Sequence, residues 1–192
     1  MTPHEIIIAE TRAWVNRAVI GLNLCPFAKA VEIKNQIRYV VTDADSPEAL
    51  RESLCAEIRL LISANPADID TTLLIHPRTL TDFGEYNDFL AVAEAAIHEL
   101  GCEGVVQVAS FHPQYQFAGT TADAVSNATN RSPYPTLHLL REESVSRAVA
   151  TFPNPETIFE TNIRRMKALG AKGWAALQAQ CRKDAMGTKD SE

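Results

Sequence analysis

Val105-Val106-Gln107-Val108-Ala109-Ser110-Phe111-His112-Pro113 reads as a β-strand stopped by its proline, and the rest of the chain is arranged around it. A polar and aromatic passage fills positions 114–135. A second strand-like run, Thr136-Leu137-His138-Leu139-Leu140, then leads into Arg141 and Glu142. Compact domains rarely keep a loop of about twenty residues without a functional reason, so this passage is expected to lie over a small-molecule site.

Upstream, Phe89, Ala93, Ala96, Ile97 and Leu100 fall along one stripe of a helix that Gly101 can close. Before it, positions 71–75 form a short apolar strand ending at His76-Pro77. Further back, Ser46-Pro47-Glu48 opens a helix with Leu50, Leu54, Ile58, Leu61 and Ile62 on its stripe, and Asn65-Pro66 stops it. Positions 37–42 alternate as a half-covered strand does. Thr2-Pro3-His4-Glu5 is a capping box for a helix reaching about Gly21.

Downstream, a short helix is expected at 144–150 and another from Asn154, with Phe159, Ile163 and Met166 on its stripe. Gly170 and Gly173 break it before a last turn or two carrying Trp174, Leu177 and Cys181. Alternating strands and helices with short connections predict a layered α/β domain with a mostly parallel sheet of about four strands, flanked by helices. One domain is expected over 1–182, followed by a polar tail at 183–192 that frays.

The 192 residues suffice for one core without disulfide or metal staples. A net charge of −6 argues against a protein that coats nucleic acid. No apolar run has the length of a membrane span, and Met1-Thr2-Pro3-His4-Glu5 lacks the basic start of a secretion signal. The four cysteines, Cys25, Cys55, Cys102 and Cys181, form no CxxC pair, which fits a reduced, cytoplasmic setting. Neither a dinucleotide fingerprint nor a phosphate-binding P-loop occurs.

His76 and His112 each close a strand and precede a proline. Ligands of open parallel sheets bind beyond the carboxyl ends of the strands. If the two strands run parallel and adjacent, about 4.8 Å apart, both imidazoles can share one ion or substrate. The alternative is that each His-Pro is a strand exit with its ring bonded to a loop. Cys25, in Leu24-Cys25-Pro26-Phe27, is either a thiolate activated by a nearby imidazole or a small buried hydrophobe. The residues from Cys25 to the first strand can span roughly 40 Å if extended, so it can reach the histidines.

In the loop, Tyr115, Asn130 and Arg131 offer groups that suit a carboxylate or phosphate, and arginine is the preferred fork for either. Asn130 and Arg131 can equally staple the loop to its own domain. Arg141 is a further candidate for the ligand, with an ion pair to Glu142 as the simpler account. His138, between two leucines, reads as a buried and satisfied histidine.

Several of these strings also resemble a known family. Gly21-Leu22-Asn23-Leu24-Cys25-Pro26-Phe27-Ala28, Thr72-Leu73-Leu74-Ile75-His76-Pro77 and Thr129-Asn130-Arg131-Ser132-Pro133-Tyr134-Pro135 carry the likeness, together with Tyr86-Asn87-Asp88-Phe89 and the stretch from Val105 to Thr120. Leu137-His138-Leu139-Leu140-Arg141-Glu142 completes it. The chain is similar to a largely bacterial group catalogued as domain-of-unknown-function family fourteen-fifteen. The resemblance implies a family and no mechanism.

The residues themselves support an expectation of a hydrolase acting on an anionic metabolite, with Cys25, His76 and His112 holding a divalent metal, zinc by ligand type. A second version makes Cys25 the nucleophile and His112 its base. From another class comes a non-catalytic ligand-binding protein or subunit of a complex.

Overall fold

The capping box at Thr2 forms as expected. The Thr2 hydroxyl accepts from the Glu5 amide, and the Glu5 carboxylate accepts from the Thr2 amide, opening helix α1 (Pro3–Trp14). The helix continues as a π-helical segment over Val15–Ile20. A short helix α2 (Ala28–Ile33) follows the Cys25-Pro26 turn, and strand β1 (Ile37–Val41) follows that. The computed structural model describes residues 1–152 and 154–187.

Ser46 caps helix α3 (Pro47–Ser63), which leads to strand β2 (Thr71–Ile75), and Asp82 caps helix α4 (Phe83–Glu99), which leads to strand β3 (Val106–Phe111). The long connection contains one 3-10 segment, Val125–Asn130, before strand β4 (Thr136–Arg141). Helices α5 (Glu142–Thr151) and α6 (Ile158–Gly187) complete the described chain.

The strand order is β1-β2-β4-β3. β1 runs parallel to β2, whereas β4 pairs antiparallel with both β2 and β3. The sheet is therefore mixed and mostly antiparallel, which corrects the expectation of a mostly parallel one. The reason lies in the connections. Helices α3 and α4 carry the chain back so that β1, β2 and β3 all point the same way, but the β3–β4 connection has no crossover helix. A strand that returns without one runs antiparallel to its predecessor, and β4 enters the slot left between β2 and β3.

Side chains of a strand alternate between faces. Leu74, Leu137, Leu139 and Val106 pack under α3 and α4 with Leu50, Leu54, Ile58 and Tyr86. Leu73 and Phe111 face the other way, toward Trp14 of α1 and Met166 and Trp174 of α6. Covered on both faces, β2 is buried along its whole length.

The sequence break in the last helix falls at Gly170, whose φ of 69° and ψ of 171° lie outside the helical region. A Cβ there would meet nothing within 4 Å, so a side chain would suffer from the backbone conformation alone. Gly170→Ala is expected to cost about 1–3 kcal/mol. Urea unfolding should show a lower midpoint at unchanged slope. Beyond Gly170 the helix runs to Gly187 and buries Cys181 and Ala185, so ordered structure passes the expected limit at Arg182. The rest of the expected tail, 188–192, lies outside the described residues.

Candidate functional site

His76 and His112 stand immediately after β2 and β3 at the same end of the sheet, both fully buried on the α3/α4 face. With β4 between their strands they are not neighbours, and Tyr86 fills the gap. Its ring stacks on His76 at 5.7 Å between centroids and lies 5.0 Å from the His112 ring. The hydrogen bonds fix both tautomers. His112 Nε2–H donates to Leu80 O (3.2 Å), and its Nδ1 accepts from the Gln114 amide (3.0 Å), so both nitrogens are engaged. His76 Nδ1–H donates to Thr79 O (3.1 Å), which leaves Nε2 a buried lone pair without a partner. Burial lowers both histidines below the ordinary value, His76 to about 4. These are neutral rings that hold loops in place.

Cys25 lies elsewhere. Its neighbour Leu24 belongs to the α1/α6 core, on the sheet face opposite the two histidines. Burial holds its thiol above the usual value, partly offset by the Phe27 and Ala28 amides. The structure thus joins His76 with His112 and leaves Cys25 apart. Among the described residues, no group of three or more His, Cys, Asp or Glu side chains is placed to hold a metal ion. Arg141 is also separate, at the far end of the sheet. It donates to the carbonyls of Leu61, Ala64 and Ile69 and so closes the C-terminal end of α3. His138 bonds to Thr71 Oγ1 and packs against Phe111.

The long loop is stapled from within. Buried Asn127 accepts from the Phe117 amide (3.1 Å) and donates to Thr121 O (2.8 Å). Asn130 lies along the free edge of β3, donating through Nδ2 to Ser110 O and accepting from the His112 amide through its own carbonyl. Arg131 donates through Nε to Tyr115 O (3.1 Å) and through Nη2 to Ala122 O (2.5 Å). The Tyr115 ring packs between Phe83 and Phe117, each at 5.0 Å.

Arg131 also faces a cleft of about 190 Å³ between α1, the end of the loop and the second half of α6. Trp14 and Trp174, the two tryptophans of the chain, line it with Glu10, Tyr134 and Cys181. The Tyr134 hydroxyl donates to the Glu10 carboxylate. Burial, reinforced by that carboxylate, raises the Tyr134 pKa and keeps the phenol protonated. The Arg131 guanidinium is half-buried, and desolvation alone lowers its pKa from the usual arginine value. No ion pair among the described residues includes it.

Arg131 stands out in the sequence by its chemistry, whereas Trp14 and Glu10 carry no mark of their own there. The signal that joins the two is their spacing: Glu10 and Trp14 are four apart in a helix and so share a side.

Fold and cleft together define an α/β protein with a mixed four-stranded sheet and a small cleft roofed partly by its final helix. A family model described as Protein of unknown function (DUF1415) matches residues 6–176, and the chain belongs to that family. Comparison with curated proteins and with solved structures found no match. Among the described residues no helix is long and apolar enough to cross a membrane.

Proposed function

We propose that the chain binds a small anionic metabolite in the cleft beside Arg131. One observation carries this reading: a half-buried guanidinium, fixed by two backbone carbonyls, faces a cavity and has no carboxylate partner among the described residues. A desolvated arginine of this kind is a ready fork for a carboxylate or phosphate. The volume suits a ligand smaller than a drug-sized one. The four unpaired cysteines support a reducing, cytoplasmic setting.

Because both tryptophans line the cleft, intrinsic fluorescence reports its occupancy. Titration with carboxylate- and phosphate-bearing metabolites is expected to give a saturable change. Arg131→Lys should weaken it about 10- to 100-fold, the equivalent of roughly 1.4–2.8 kcal/mol. A protein that responds to no anion, or a lysine variant that binds equally well with unchanged melting temperature, contradicts the proposal.

A hydrolase is the second reading, and the bare Nε2 of His76 is the observation in its favour. Both versions, the Cys25/His76/His112 zinc centre and the Cys25 nucleophile with His112 as base, require His112 to leave Leu80 and Gln114 and Cys25 to change faces. One equivalent of zinc bound by the wild type and lost in His76→Ala would support the metal version.

A further inference from the structure

We infer that the ligand of this cleft is a zwitterion with a flat apolar body, of which an aromatic α-amino acid is the simplest. The inference rests on the reading of the cleft as an anion site and adds to it. Glu10 and Arg131 face one cavity of about 190 Å³, yet among the described residues neither takes part in an ion pair. Opposite charges in a partly desolvated space attract strongly and come together unless each is held.

Both are held here. Two loop carbonyls fix the guanidinium of Arg131, and the Tyr134 hydroxyl fixes the carboxylate of Glu10. A carboxylate has about four lone-pair sites and the hydroxyl takes one, so Glu10 can still accept an ammonium. Arg131 retains donors beyond the two that bind carbonyls. Arg182 also lines the cleft but is exposed, so water meets its charge, and a ligand bearing one charge would leave either Glu10 or Arg131 uncompensated as the cleft loses water, which is costly. A ligand bearing both charges answers both. Trp14 and Trp174 supply indole walls against which a planar ring packs well.

Calorimetric titration of the full chain with L-phenylalanine, phenethylamine and 3-phenylpropionate separates the charges, since the latter two each lack one. The amino acid is expected to bind at least tenfold tighter than either fragment. Glu10→Gln keeps an acceptor for Tyr134 and should bring phenylalanine down to the level of phenylpropionate without weakening phenylpropionate itself. If phenylpropionate binds wild type as well as phenylalanine does and Glu10→Gln changes neither, the zwitterion is overturned while the anion site stands. The zwitterion is overturned in the same way if phosphates bind and phenylalanine does not. If no anion of either kind binds, or if Arg131→Lys leaves every affinity unchanged, the anion site falls and the zwitterion with it.

Discussion

Replacing Tyr86 by phenylalanine is expected to cost about 1–3 kcal/mol of stability, although it removes a single oxygen. That hydroxyl donates to Thr136 O (2.8 Å) and accepts from the Phe111 amide (3.1 Å). Phe111 ends β3 and pairs with Thr136, which begins β4, so the hydroxyl bridges the last rung of that ladder. Tyr86 and Thr136 are both fully buried. Phenylalanine would remove both bonds of the hydroxyl and leave the amide and the carbonyl only each other across the rung. Each lost bond is worth about 0.5–1.5 kcal/mol. At about 2–4 °C per kcal/mol for a chain of this size, the melting temperature should fall by roughly 2–12 °C. A loss below about 0.5 kcal/mol would show that the ladder closes without the hydroxyl.

Acidification should have an effect of similar size. Burial lowers His76 and His138 from 6.5 to about 4 in the folded chain. Between those values the unfolded chain binds protons that the folded chain refuses, so stability rises with pH in this window. The contribution is fully present above about pH 6.5 and is lost progressively as pH falls to about 4. At 1.36 kcal/mol per unit, each histidine accounts for about 3 kcal/mol. Domains of this kind have about 5–15 kcal/mol in total. Urea midpoints should therefore be flat above pH 7 and drop steeply between pH 6.5 and 4, and His76→Gln should shallow the drop. Midpoints that hold constant from pH 7 to pH 5 would mean that the imidazoles are not kept neutral by the fold.

The two histidines show how far the sequence could be read. Each His-Pro pair marks the end of a strand because proline cannot continue the ladder, and the two strands do point the same way. What local pattern could not supply was the position of β4. Thr136-Leu137-His138-Leu139-Leu140 has the composition of a strand in either direction, and its partners are decided by long-range pairing alone. Once β4 enters the slot, the histidines move one strand further apart and Tyr86 occupies the space between them.

The candidate site was legible in a similar, partial way. Arg131 could be recognised by its chemistry and its place in a long loop, and both roles weighed for it, staple and anion fork, are compatible in the fold. Arg141 has the same chemistry, but the end of β4 places it over the carbonyls of α3. Trp174 reaches the cleft of Arg131 because the last helix folds back across α1 after Gly170, and Glu10 is tied to it through the Tyr134 hydroxyl; no spacing in the chain encodes either meeting.

The central claim is that the cleft beside Arg131 takes a small anion. The most direct test is a proton–nitrogen NMR titration of the full chain with carboxylate and phosphate metabolites. The account predicts that the indole Nε1–H signals of Trp14 and Trp174 and the Nε–H of Arg131 shift together along one saturation curve, while the ring signals of His76 and His112 stay in place. Indole and guanidinium signals that remain still, or histidine signals that move instead, would contradict it.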